Sequence, residues 1–288
     1  MNQFKLFIEL TRLKKPIGYM LLFWPCAWGL TLAYDFSDNL NNYFLYLILF
    51  FLGSVLMRSA GCIANDILDK EFDKKVFRTK DRPIASSQIS VKIGITYVFV
   101  LCFFALLVLL NFNNITIILA LGSMPLAFTY PLMKRFTYWP QLFLGITFNY
   151  GLILAWTSIY SQLSIYPLIF YFGAIFWTLG YDTIYGFQDI KDDEIIGLKS
   201  TSIKYKKNPF YFLCLCYAIF SFSLIIVGIQ MGFNKFYYIY LIIIFFQMFY
   251  LQLKNLKIKN AKSCLSVFKS NNILGGLVFI GLIVGKVY

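Results

Sequence analysis

The stretch "YFLYLILFFLGSVLMRSAGCIANDILDKEFD", residues 43–73, decides the fold. From Tyr43 to Ile63 its only charge is Arg58. A hydrocarbon layer about 30 Å thick is crossed by roughly 20 apolar residues in a helix. In that layer a lone segment must satisfy its backbone polar groups internally, and the helix is the conformation that does so. The run then ends abruptly in Asp66, Asp69, Glu71 and Asp73. With Asp81 these make five of the thirteen acids in the chain.

Comparable apolar runs fall near residues 17–34, 93–111, 115–133, 138–160, 165–187, 210–230, 236–253 and 270–287, so nine transmembrane helices are expected. The composition agrees: of 288 residues, 59% are hydrophobic, 20% aromatic and only 14% charged. The expected class is all-α, a polytopic membrane protein with helices around a central cavity and acidic loops at one end. Nothing divides residues 1–288 into domains. The first run lacks a small-residue cleavage pattern and reads as a retained helix, preceded by an interfacial amphipathic helix over 4–13.

Basic residues orient the bundle. With the N-terminus in the cytoplasm, the outer segments hold only Lys235 and Lys286 of the 26 Lys and Arg. The opposite threading reverses the bias, so the positive-inside rule places the N-terminus inside. The net charge of +13 is thereby read as topology and attraction to anionic lipid, not as a nucleic-acid surface.

Histidine is absent, which removes the Ser–His and Cys–His nucleophile systems and imidazole-ligated zinc. The six cysteines sit mostly inside apolar runs, and Cys214-x-Cys216 lacks the partner pair a metal site needs. They read as packing thiols.

A second cluster mirrors the first. "YDTIYGFQDIKDDE", 181–194, holds Asp182, Asp189, Asp192, Asp193 and Glu194. If the helix through 43–63 continues, Asn65, Asp66, Asp69 and Asp73 share an arc of about 100° and Glu71 points away. On the helix through 165–187 the same count brings Asp182, Asp189 and Asp193 within about 40°. Massed carboxylates repel and are costly to desolvate, so a cation is expected between them. Mg²⁺ prefers carboxylate oxygens and shares its shell with phosphate. Arg78, Lys80 and Arg82 in the first loop, Lys134 and Arg135 after the run through 115–133, and Lys199 after the second cluster suit the outer phosphate oxygens. Two acidic helix ends, Mg²⁺ and a basic rim together describe a diphosphate clamp.

Arg58 lies seven residues before Asn65, two turns deeper on the same face. It either pairs with Asp182 or lines a pocket that receives an anionic acceptor such as an aromatic carboxylate. Asn149, in mid-span, reads as interhelical glue or a pocket residue.

"NDILDKEFD" resembles the NDxxDxxxD signature of the UbiA superfamily of intramembrane aromatic prenyltransferases, and "RTKDRP" resembles its RTxxRP continuation. "YDTIYGFQDIKDD" is similar to the second acidic signature and "GLKST" to the segment after it, although Gly186 stands where the signature often has Ala. "KPIGYMLLFWPCAWGL" resembles the first helix of the branch acting on 4-hydroxybenzoate.

The resemblance implies that a polyprenyl group passes from polyprenyl diphosphate to the ring of a small aromatic acid, ortho to the phenol, in ubiquinone biosynthesis. It implies Mg²⁺ held by Asn65, Asp66, Asp69 and Asp73 and by Asp189 and Asp193, with Asp182 as a further catalytic acid. It makes Arg58, Arg78, Arg82, Lys134 and Lys199 substrate-binding. It implies an integral protein of a bacterial inner membrane, its site at the cytoplasmic face, with lipid and no obligate protein partner around it. The alternatives are another aromatic or tetrapyrrole acceptor, or a divalent-cation transporter.

Overall fold

The computed structural model describes residues 3–287, and among these every regular element is helical. In chain order the helices are α1 (Gln3–Thr11), α2 (Ile17–Ala33), α3 (Leu40–Leu68), α4 (Lys70–Asp73), α5 (Val91–Leu109), α6 (Asn114–Thr129), α7 (Met133–Phe136), α8 (Pro140–Tyr160) and α9 (Ile165–Gly186). They continue with α10 (Ile190–Ile195), α11 (Thr201–Lys204), α12 (Pro209–Gln230), α13 (Lys235–Phe245), α14 (Leu253–Asn255) and α15 (Ala261–Val287).

Each of the nine apolar runs folds into a helix, but seven segments are long and apolar enough to cross a membrane. They are α3, α5, Asn114–Phe136, α8, α12, Lys235–Asn255 and α15. Helix α2 has only 17 residues, and α9 is diluted by Tyr, Trp, Gly and Asp182. Among the described residues seven of the nine expected spans are therefore met, and α2 and α9 fall short. The helices begin where their sequences signal. Asn39, Ser90, Asn113, Ser164 and Asn234 each accept a hydrogen bond from a first-turn backbone N–H, while Pro140 and Pro209 start α8 and α12.

The core lies among α2, α8, α9, α12 and α15. Trp28, Phe170, Trp177 and Phe220 are fully buried and packed ring against ring, with Trp28 and Phe170 stacked at 5.4 Å. The two indole N–H groups donate to the Gly275 carbonyl and to Asn271 Oδ1, so neither is orphaned. In contrast, only 17% of the spanning window of α5 and of Asn114–Phe136 is buried, which leaves Phe99, Phe103, Phe104 and Ile118 facing the lipid. Between α13 and α14 the backbone widens into a π-helical stretch, Phe246–Gln252, and Tyr217 donates to the buried Gln252 Oε1 at 2.6 Å.

Two glycines permit close approach. A Cβ on Gly29 would fall on the backbone of Leu152, 2.9 Å from its carbonyl carbon, and the α2–α8 seam cannot open there without moving both helices. Gly29→Ala is therefore expected to cost about 1–3 kcal/mol, read as a lower midpoint of thermal unfolding in detergent; an unchanged midpoint would refute the close packing. A Cβ on Gly18 would lie 2.9 Å from Arg58 Nε, so Gly18 makes room for that arginine.

Helix α1 packs Leu6 and Leu10 against Ala60, Ile63, Ile84 and Leu101, as its amphipathic pattern requires, while Phe4 and Lys5 stay exposed. The short elements α4, α7, α10 and α11 cluster where α3, α6 and α9 end. That end of the bundle carries the acids.

A candidate active site at one end of the bundle

Helix α3 breaks at Asp69, whose φ of −98° and ψ of 6° leave helical geometry, and α4 restarts at once. The Asp69 N–H still donates to the Asn65 carbonyl and the Asp73 N–H to that of Asp69, so the expected arc survives the break. Asp66, Asp69 and Asp73 are 2%, 1% and 7% exposed, while Glu71 lies on the solvent side. Asn65 is half-buried beside them.

The second cluster departs from expectation. Helix α9 ends at Gly186, a turn follows, and α10 begins only at Ile190. The 100° count therefore does not run from Asp182 to Asp189 and Asp193. Asp182 sits a turn deeper, on α9 proper, and takes no part in the ion pairs at the rim. The cause is local: the Phe187, Gln188 and Asp189 amides bond to carbonyls only three residues back, which tightens and ends the helix.

The two clusters meet through basic side chains. Arg78, in the first loop, donates from Nε (2.8 Å) and Nη2 (2.5 Å) to the two oxygens of Asp189 in the second. The same guanidinium lies 5.6 Å from the Tyr185 ring and donates to its hydroxyl at 3.2 Å. Arg82 Nη1 is shared by Asp66 Oδ1 (3.0 Å) and Asp73 Oδ2 (2.8 Å). Lys134, on α7, pairs with Asp69 Oδ2, and its neighbour Arg135 donates to the Leu68 carbonyl at the end of α3. Lys199 does not reach the acids. It donates to the Phe136 carbonyl at 3.3 Å, and its backbone N–H bonds to Lys134, so it braces α7. Asp193 makes no ion pair. Burial first, then the Asp189 charge, pushes its carboxyl up to about 6. Burial likewise raises Asp73, against the pull of Arg82.

Sequence reasoning missed one member. Arg12, just past α1, donates from Nη2 to Asp66 Oδ1 at 2.6 Å. Its φ of 56° is left-handed, a conformation uncommon for a residue with a Cβ. No local pattern marks it: among Lys5, Lys14 and Lys15 it reads as one more inner-face charge. Only the seating of α1 on α3 brings it to Asp66.

Among the described residues no three acids are gathered into a compact metal cluster. The carboxylates are interleaved with guanidinium and ammonium groups, because like charges at short range repel. The donor set still fits a hard divalent cation. Asp66 Oδ2 and Asp73 Oδ1 take no hydrogen bond, and the buried Asp69 Oδ1 takes none either, with Arg135 Nη2 3.6 Å away. These are hard oxygens of the kind Mg²⁺ selects.

Deeper between the helices lies a second polar group. Arg58, on α3, lies 5.1 Å from the centre of the Phe148 ring, and its buried Nε has no partner. The Tyr130 ring meets Phe148 edge-on at 6.4 Å. Asn149 donates to Thr178 Oγ1 at 2.7 Å across α8 and α9, the interhelical role, yet its Oδ1 and the nearby Tyr181 hydroxyl are buried without partners. Arg58 and Asp182 form no ion pair, although Asp182 lies within reach of the Arg58 field. The pairing alternative for Arg58 therefore fails. All six cysteines are free thiols, as expected.

Known proteins place this architecture. The profile of the UbiA prenyltransferase family matches residues 22–279. The mitochondrial 4-hydroxybenzoate polyprenyltransferase of Rattus norvegicus is 40% identical over 98% of this chain and 75% of its own length. The 4-hydroxybenzoate octaprenyltransferase of Francisella tularensis subsp. novicida is 38% identical over 97% of this chain and 96% of its own. Among solved structures, a UbiA homolog from Aeropyrum pernix K1 superposes with a TM-score of 0.76 at 21% identity, covering 93% of this chain and 98% of that one. A homolog from Archaeoglobus fulgidus, bound to GPP and Mg²⁺, gives 0.69 at 15% identity over 98% of this chain and all of that one. With its two acidic signatures brought together at one end of a helical membrane bundle, the chain belongs to the UbiA prenyltransferase family.

Proposed function

We propose that this chain transfers a polyprenyl group from polyprenyl diphosphate to the ring of 4-hydroxybenzoate, ortho to the phenol, as a step of ubiquinone biosynthesis. One observation carries the reaction class: carboxylates from two separate motifs, buried in the first and half-buried in the second, bridged by Arg78 and interleaved with Arg82, Lys134, Arg135 and Arg12. The identity to relatives bearing that name, along nearly the whole chain, supports the acceptor.

Asn65, Asp66, Asp69 and Asp73 on one side and Asp189 and Asp193 on the other would hold Mg²⁺, which supplies positive charge at the departing diphosphate. Arg78, Arg82 and Lys134 turn from the carboxylates towards the phosphate oxygens as the diphosphate arrives. Positioned cations of this kind stabilise the charge that develops as the allylic C–O bond breaks. Arg58 orients the acceptor by its carboxylate, beside Phe148 and Tyr130, so that the ring carbon beside the phenol meets the allylic centre. The aromatic faces there favour a passing carbocation. The ring proton then passes to the departing diphosphate or to water, which restores aromaticity, so a histidine base is not needed.

The positive-inside bias supports a cytoplasmic N-terminus and a cytoplasmic site, in the inner membrane of a bacterium. The test uses membranes containing the chain, a polyprenyl diphosphate, Mg²⁺ and 4-hydroxybenzoate. The expected product carries the chain ortho to the hydroxyl. Turnover only with a different acceptor would overturn the assignment.

A further inference from the structure

The two acidic motifs hold their counter-charges differently. In the first, Arg12 and Arg82 meet Asp66 Oδ1, Arg82 reaches Asp73 Oδ2, and Lys134 and Arg135 stand at the two oxygens of Asp69, so no single cation grips both oxygens of one carboxylate. In the second, Asp189 has both oxygens engaged by the Arg78 fork. This is the planar, two-pronged geometry in which guanidinium and carboxylate bind most specifically. Tyr185 gives the fork a seat through its ring face and its hydroxyl. The pair is not locked into the core: the side chain of Arg78 is 42% exposed and that of Asp189 16%. An arginine half in solvent can rotate away at small cost, and exposed pairs of this kind are weak enough to exchange.

Resting on the reading of this site as a diphosphate-binding one, we propose that Arg78 is a latch. It occupies Asp189 until a diphosphate draws its guanidinium away, so cation binding at the second motif and diphosphate binding are cooperative. A cation approaching Asp189 must displace Arg78 and then stand beside it. Once the phosphate oxygens offer Arg78 a stronger anion, both oxygens of Asp189 come free. Such coupling is reciprocal: diphosphate tightens the cation, and the cation tightens diphosphate. The latch keeps Asp189 neutralised at rest, beside Asp193, which makes no ion pair.

The test measures binding of Mn²⁺ to the full chain in detergent, by loss of the free-ion electron paramagnetic resonance signal. It is run with and without inorganic pyrophosphate, and corrected for the complex those two form in water. In the unaltered protein pyrophosphate is expected to tighten the weaker Mn²⁺ event by on the order of 10-fold, within the usual range of coupled sites. Arg78→Gln is expected to tighten that event by about 3–5-fold without pyrophosphate and to shrink the pyrophosphate gain, because the competing cation is gone. Tyr185→Phe, which leaves both charges in place, should move Mn²⁺ affinity the same way by a smaller factor. A structural role alone would weaken Mn²⁺ binding in both variants. That outcome, or Mn²⁺ affinities indifferent to pyrophosphate and to either substitution, overturns the latch. Absence of prenyl transfer to 4-hydroxybenzoate would instead refute the proposed function and leave this comparison standing.

Discussion

Asp69→Asn is expected to lower kcat/KM for prenyl transfer by on the order of 10³-fold, the scale seen when one preorganised electrostatic group is removed from a site. Asp69 is 1% exposed and sits where α3 breaks. One oxygen pairs with Lys134, and the other is buried with no hydrogen bond, Arg135 Nη2 being 3.6 Å away. Arg135 stands beyond hydrogen-bond reach of that oxygen, which leaves a buried acceptor that a divalent cation can take. Asn has the same shape, so the substitution removes charge and little else. Lys134 would then face a neutral amide, and the demand for Mg²⁺ should rise along with the loss of rate. The exposed Asp81 supplies the comparison: Asp81→Asn should stay within about twofold, as expected of a surface site. Rates measured across a Mg²⁺ series decide the matter, and Asp69→Asn turning over at the unaltered rate would remove the first motif from the mechanism.

Arg58→Met is expected to act on one substrate only. KM for 4-hydroxybenzoate should rise by roughly 10²–10³-fold, the cost of truncating one partner of a buried charge pair. KM for the polyprenyl diphosphate should stay within about threefold. The reason is depth. Arg58 lies two turns below Asn65 on α3, seated on Phe148, with Gly18 leaving it room. Its Nε is buried and unpartnered, and Asp182 does not neutralise it through an ion pair. Met keeps an unbranched apolar stem and removes the charged head. Initial rates with each substrate varied in turn distinguish the outcomes. Equal rises in both KM values would place Arg58 at the diphosphate instead.

Much of this was legible in the linear chain because it depends on short-range regularities. Apolar runs of spanning length become helices wherever water cannot reach the backbone, and all nine runs did. The alternation of Asn65, Asp66, Asp69 and Asp73 against Glu71 follows from 100° per residue, so buried and exposed acids sorted as the count required. The same count misled at Asp189, because helicity past Gly186 was assumed and three-residue hydrogen bonds end α9 there. Lys199 misled for a related reason. Nearness in sequence to the second motif did not bring its ammonium to the acids, and a backbone carbonyl took it.

Composition, periodicity and the two acidic signatures determined by themselves that this is a helical membrane protein whose acids gather in two segments, since each is written within a few turns of one segment. Which cation meets which acid was decided only by tertiary structure. Arg12 reaches Asp66 from 54 residues away, Lys134 reaches Asp69 from 65, and Arg78 reaches Asp189 from 111. Charge attracts without regard to sequence separation, and packing of α1 on α3, of α7 beside α3 and of the two loops against each other selects the partners.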